Sequence, residues 1–420
     1  MGCFSRTSAA VPTRGLCVAC CKAEHAADDQ LSQASIARMN ALAGQPLAKP
    51  SNAAAEPAPA SGAPSGRTNS DCAQQARALA PVVQRFDRYR EALPSARAAA
   101  DLNELGDKPG DEPSTKPCLT RLPVQADRLN AALDMPPGTL RDGDLRNDAT
   151  GFRAALYRDE GTGQMILVPR DTQPDSLVDW QANTRNGLSQ DTPQYAAMRN
   201  LTRRLDASNQ SFDIAGYSKG GGIAQEGGLV NTLAQVRVFN SAGLTDGSLK
   251  RTGQVNFDDL ISRTKAFSSE GDFVTFMNDT SDPGQNIINS RFLQRELAGQ
   301  GRGLNPINIK VRNPSMRGLD DPFLAGDKQR YMDELEAHIA DMQTAYDTGG
   351  TVTAFPPVRA ASREAIGGSM TLAGQLLGAR GDQPTLGKLA QHKMGVVLGS
   401  LEKNVADDRQ SIRLFLANCG

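Results

Sequence analysis

An α/β fold with a mainly parallel sheet is predicted for residues 151–420 by three observations. Short strand-like runs (AALYRD, QMILVPR, SFDIAGYS, VRVFNSAGL, KAFSSEGDFVTFM) alternate with stretches of helical period. Two of the intervening stretches, Gln194 to Leu205 and Gly222 to Leu233, are long enough to cover a sheet face. One strand-like run ends in Gly216-Tyr217-Ser218-Lys219-Gly220, a turn directly followed by a helical stretch.

The chain has 420 residues and a formal net charge of −1, so no bulk electrostatic attraction draws it to nucleic acid. No apolar run approaches the roughly 20 residues of a membrane-spanning helix. The seven cysteines are Cys3, Cys17, Cys20, Cys21, Cys72, Cys118 and Cys419, so the main body is not built on disulfides. Met1 to Arg14 lacks the sustained apolar stretch of a cleaved secretory signal, and export needs another route.

Residues 1–70 read as a largely disordered leader and linker. Ser51 to Gly66 holds six Ala, three Pro, three Ser and two Gly and offers almost nothing to bury. Before it, Leu31, Ile36, Met39 and Leu42 fit one short amphipathic helix. Met1-Gly2-Cys3 opens like a lipidated protein, with Gly2 a myristoylation position and Cys3 a palmitoylation position, although Arg6 stands where the pattern takes Ser or Thr. Cys17, Cys20, Cys21 and His25 offer zinc ligand types, but crowded into nine residues with no second pair they argue against a metal site.

Residues 71–150 are expected to be a helical region. Leu79, Val82, Val83, Phe86 and Tyr89 and later Leu129, Ala132 and Leu133 recur at three-to-four spacing, broken by the Pro/Gly-rich stretch Lys108 to Pro117. Both packing on the main body and a separate small module fit this pattern.

The G-x-S-x-G run at 216–220 has the strand-before, helix-after context of a nucleophile elbow. Such a turn forces the serine into a strained backbone conformation, and glycine at 216 and 220 lets strand and helix approach. Ser218 is therefore the candidate nucleophile, and the backbone N–H of Lys219 is a candidate oxyanion donor at the helix start. A phosphate cradle is the competing reading, but G-x-x-x-x-G-K-[ST] is absent. A serine nucleophile needs a later histidine and, between them, a carboxylate. Of three histidines, His25 lies upstream, His338 sits beside the apolar line of a helical stretch, and His392 precedes a C-terminal helical run and is preferred. Asp272, after a strand and a glycine turn, is the preferred acid over Asp246 and Glu270.

Residues 150–405 resemble the class 3 lipase group of α/β-hydrolases and its bacterial relatives. Val168-Pro-Arg-Asp-Thr172 is similar to that family's Phe-Arg-Gly-Thr strand end, Asp179-Trp-Gln-Ala-Asn183 to its Asp-Trp-x-x-Asn segment, Glu270-Gly-Asp-Phe-Val274 to its acid loop, and His392-Lys-Met394 to its terminal helix. Pro169, Asp171 and Phe273 depart from the pattern, and Asp171 brings negative charge near the oxyanion position. The resemblance implies an α/β-hydrolase with a long insertion at 280–389 between acid and base, acting as a lid or interfacial subdomain. It implies lipid ester hydrolysis through Ser218, Asp272 and His392, with Lys219 and Thr172 as the oxyanion hole. No cofactor is called for.

The leader joined to such a domain resembles a bacterial type III-type effector secreted into a host cell, associated with membrane through its N-terminus. Its expected partner is membrane lipid, with room for a host activator protein. Two other readings share these residues: a thioesterase or acyltransferase, and a catalytically inactive hydrolase fold that binds lipid or protein.

Overall fold

A computed structural model describes residues 18–43, 69–106, 113–173, 191–231, 233–244, 246–252, 257–269, 363–366 and 393–419, with scattered positions between. The chain divides into two compact units, one comprising 1–94, 160–162 and 401–420, the other 95–159 and 163–400.

In the larger unit a mixed sheet carries the strand order β1-β3-β4-β5-β6-β7-β8, with β2 paired to β3. These strands are β1 Leu119–Arg121, β2 Arg146–Asn147, β3 Phe152–Asp159, β4 Met165–Pro169, β5 Asp213–Tyr217, β6 Val236–Phe239, β7 Thr264–Ser269 and β8 Arg363–Ile366. β1, β2 and β4 each pair antiparallel with β3, and every pairing from β4 to β8 is parallel. The expected α/β architecture with a mostly parallel sheet is what the chain adopts.

Parallel strands need crossovers, and the sequence places helices there. β4 and β5 are joined through α4 (Pro193–Ala207), whose Thr192 accepts from the Tyr195 N–H at 3.2 Å and whose first residue is proline, a matched start signal. α5 (Lys219–Val230) joins β5 to β6 and is buried along nearly its whole length. The short α6 (Asp246–Arg251) and α7 (Phe257–Arg263) lie between β6 and β7. Leu156, Leu167, Ile214, Val236 and Val238 from the strands meet Tyr195, Met198, Leu201, Leu205, Ile223 and Leu229 from α4 and α5 in one core. Phe239 and Phe267 stack with centroids 5.6 Å apart.

The structure redraws the 71–150 region. α2 (Asn69–Leu105) is a single helix of 37 residues, and α3 (Ala126–Ala132) follows, but β1 and β2 within this stretch belong to the sheet. A strand of three or two residues is too short to show a period of two, so these edges are invisible to pattern reading. Asp101 on α2 ties β1 to β3 by pairing with buried Arg121 of β1 and accepting from the Tyr157 hydroxyl of β3 at 3.0 Å. Likewise the 280–389 stretch is not purely an insertion, because β8 returns from it to pair with β7.

In the smaller unit, α1 (Val18–Ala43) runs 26 residues, longer than the short helix expected in a disordered leader. Its buried face is Cys21, Asp28, Ser32, Ser35 and Leu42, while Ile36 is exposed. This polar face is satisfied by partners: Arg409 holds Asp28 at 2.6 and 2.8 Å, and Ser32 donates to Asp87 at 2.8 Å. Arg409 lies on α8 (Met394–Cys419), as does Asp408, which pairs with Arg85 of α2. Cys72 and Cys419 form a disulfide across 347 residues of sequence. Cys20 and Cys21 are also disulfide-bonded, which withdraws both from thiolate coordination of a metal. Gly2, Cys3 and the 51–66 linker lie outside the described residues.

Candidate active site

The elbow begins with backbone geometry. Ser218 has φ 54° and ψ −125°, in a region that disfavours a side chain and that a sharp strand-to-helix reversal imposes. The two flanking glycines explain how the turn closes. A Cβ on Gly216 would lie 2.2 Å from the Gly220 carbonyl oxygen, and one on Gly220 would lie 2.6 Å from the Pro169 carbonyl oxygen. Both contacts are with backbone, so no rotamer change relieves them. Glycine at both positions leaves room for the close approach of β5 and α5. The second contact adds that α5 also lies against the end of β4.

Hydrogen bonds then fix the Ser218 backbone against the neighbouring strand end. Its N–H donates to the Phe239 carbonyl at 3.1 Å, and its carbonyl accepts from the Ala242 N–H at 2.9 Å. Asn240, with φ 41°, donates its backbone N–H to the Phe267 carbonyl and accepts from the Ser269 N–H on its side-chain oxygen at 2.8 Å. The C-terminal ends of β5, β6 and β7 are thereby laced together, which is where ligands bind in open parallel sheets.

Asp272 stands just beyond β7, is 1% exposed, and donates its N–H to the Ser269 carbonyl at 3.0 Å. Its charge reaches Tyr217, the residue before Ser218: burial first, then Asp171 and Asp272, hold the Tyr217 hydroxyl in its protonated form. The same hydroxyl is hydrogen-bonded to the backbone of Met394 at the start of α8. Thr172 is half-buried in the loop after β4. Lys219 is the first residue of α5, where a backbone N–H has no intrahelical acceptor. His392, His338, Glu270 and the side chain of Asp246 lie outside the described residues.

A buried charged network beneath the elbow was not legible from the sequence. The Lys219 ammonium pairs with Asp179, which is fully buried, and donates to the Gln194 side-chain oxygen at 2.8 Å. Gln194 donates to Asp179 at 2.7 Å, and the Gln173 N–H donates to the other Asp179 oxygen at 2.9 Å. Arg170 approaches that carboxylate at 3.6 Å. Asp171 accepts from Asn103 of α2 and from Gln173, and burial raises its pKa to about 6 against the opposing pull of Lys219 and Arg170. Asp171, expected to bring bare negative charge near an oxyanion, is thus embedded among two cations and two amides. Desolvation lowers the Lys219 pKa, with Asp179 opposing it. Arg170, Asp171, Asp179 and Lys219 stand in the motif segments quoted above and Gln194 opens a helical stretch, but no local pattern joins them, and Asn103 carries no signal at all.

Among the described residues no group of three or more His, Cys, Asp and Glu side chains could hold a metal ion. No described helix is long and apolar enough to cross a membrane.

Residues 121–307 match the phospholipase-like family whose description is Tle-like phospholipase domain. This stretch runs from the end of β1 past the acid loop and takes in Thr172, Ser218, Lys219 and Asp272. A phospholipase-like domain implies a lipid ester hydrolase. No curated protein matches the chain.

Proposed function

We propose that this chain is a serine phospholipase that cleaves a lipid ester through an acyl-enzyme, with Ser218 as nucleophile, His392 as base and Asp272 as the carboxylate orienting it. The observation that carries the reading is the left-handed backbone of Ser218 at a strand–helix junction which only glycines at 216 and 220 allow. The buried Asp272 at the end of the second strand beyond the elbow supports its place in the order Ser, Asp, His. His392 precedes by two residues Met394, whose backbone meets the Tyr217 hydroxyl; two residues span at most about 7 Å. In the mechanism, His392 takes the Ser218 proton as its oxygen attacks the ester carbonyl. The Lys219 N–H and Thr172 receive the oxyanion, the alcohol leaves with the proton from His392, and water repeats the sequence on the acyl-enzyme.

The substrate in this reading is membrane phospholipid. The match to a Tle-like phospholipase domain supports a secreted bacterial effector without specifying the type III route expected from the leader. Host delivery, a lipidated N-terminus and a host activator belong to the same proposal.

The test compares wild type with Ser218→Ala and His392→Ala in fluorophosphonate labelling and in fatty-acid release from mixed phospholipid vesicles. Both signals are expected to fall by roughly 10⁴-fold or more in each variant. Labelling without fatty-acid release would redirect the reading to thioester or acyl-transfer chemistry. No labelling of folded wild type would favour a binding module.

A further inference from the structure

We propose that the side chain of Lys219 is a positioning residue, which sets the first turn of α5 against the Arg170–Gln173 loop and so fixes the spacing of the two oxyanion donors, the Lys219 N–H and Thr172. The inference rests on the serine-hydrolase reading and gives a task to groups which that reading leaves unused.

The two donors sit on different segments, one at the start of a helix and one in the loop after β4. Nothing in the elbow turn itself determines their separation. The Gly220 contact with Pro169 brings the segments together at the backbone, and the lysine network then ties them through the Asp179 carboxylate. Asp179 is the hub: one oxygen takes the Lys219 ammonium and the Gln194 amide, and the other takes the Gln173 N–H, one residue after Thr172. Gln194 closes the triangle by accepting from Lys219 at 2.8 Å and anchors it to the start of α4. On the loop's other side Asp171 is held by Asn103 and Gln173. Thr172 is therefore flanked by residues that are both held, Asp171 by Asn103 and Gln173, and Gln173 by the Asp179 carboxylate that also takes the Lys219 ammonium, the side chain of the residue whose N–H is the second donor.

Chemistry also favours a role beyond packing. A buried ion pair is often no more stabilising than apolar residues of the same volume, because both charges must leave water. Here two cations and two carboxylates are arranged with opposite charges adjacent, so the oxyanion would form beside a locally balanced set rather than beside a bare carboxylate. Donors pre-set to the position of the developing charge act on the transition state and little on substrate binding.

The experiment measures kcat and KM on a soluble short-chain p-nitrophenyl ester and the affinity for an alkyl boronic acid, which mimics the tetrahedral adduct on a serine. Wild type is compared with Lys219→Met, Asp179→Asn and, as a control, Glu226→Gln, which alters the separate buried Arg199–Glu226 pair further along α5. The expected result is a loss of roughly 30- to 300-fold in kcat for Lys219→Met, somewhat less than the roughly 10²- to 10³-fold of removing one oxyanion donor outright, with KM within about threefold of wild type. Boronate affinity falls in parallel. Asp179→Asn loses at least 10-fold in kcat, and Glu226→Gln lowers the melting temperature while leaving kcat and boronate affinity within threefold. If Lys219→Met does not fold, Asp179→Asn decides on the same readouts. Both network variants melting lower with kcat and boronate affinity unchanged would reduce Lys219 to a structural residue and overturn the proposal. Ester hydrolysis that survives Ser218→Ala would instead overturn the serine-hydrolase reading beneath it.

Discussion

In the α/β unit, the segments that meet at Ser218 are held by close backbone contact and by charges removed from water. In the helical unit, α1, α2 and the C-terminal part of α8 are held by ion pairs in which a partly exposed arginine meets a buried carboxylate, and by a cross-link. At the elbow a single added carbon meets a carbonyl oxygen at 2.2 Å. Between the helices, Arg409 with Asp28 and Arg85 with Asp408 join side chains that bend, and both arginines remain partly accessible. The first kind of contact tolerates no displacement and suits the proposed site, where donors must sit within a fraction of an ångström. The second tolerates small shifts, and its persistence rests on the covalent tie between Cys72 and Cys419.

That contrast can be broken at four points. Gly216→Ala drives a Cβ into the Gly220 carbonyl and should cost about 3 kcal/mol or more, with loss of fluorophosphonate labelling, read by denaturant unfolding and gel fluorescence. Replacing Cys72 and Cys419 together by alanine should cost about 2–4 kcal/mol in denaturant unfolding while the labelling rate stays unchanged. Cys72 and Cys419 belong to the smaller unit, whereas Ser218, Lys219 and Asp272 belong to the larger.

A smaller effect should come from Asp171. Its pKa is raised from an unfolded value near 3.8 to about 6, so the folded state holds the extra proton between those values. Its favourable contribution is complete below the unfolded pKa and is lost as pH rises through about 6. Asp171→Asn removes that loss, so the variant's stability relative to wild type should improve by about 2–3 kcal/mol between pH 3.5 and pH 8, measured by urea unfolding. Smallest of all, Ser218→Gly should abolish labelling yet raise stability by about 1 kcal/mol, because glycine adopts φ 54° without strain. Unchanged stability there would mean that the elbow holds less strain than its backbone angles indicate.

The elbow was readable because its determinants are consecutive: strand, glycine, serine, glycine and helix lie within one short stretch, and each is required by the turn. The parallel sheet was readable from the alternation of its runs. Three features were not. α1 turns Asp28, Ser32 and Ser35 inward, and a rule that seeks apolar lines instead picks out Ile36 and Met39, of which Ile36 is exposed. β1 and β2 are too short to carry a period, and their pairing with β3 is a tertiary choice. The Lys219 network draws on Asn103, Asp171, Asp179 and Gln194, residues that meet only after α2, β4 and α4 have come together. Charged residues are ordinarily assigned to the surface, so nothing in the local sequence marks Lys219 or Asp179 as buried.

The strand that covers β7 arrives late in the chain. β7 ends at Ser269 and its parallel neighbour β8 begins at Arg363. At roughly 5–20 residues per second, a ribosome takes on the order of 5–20 s to make the stretch between them. Through that interval the outer N–H and C=O groups of β7 are an open template for another chain. A protein shortened to the matched boundaries, 121–307, keeps Ser218 and Asp272 but leaves that edge uncovered for good, and such a fragment should self-associate through it.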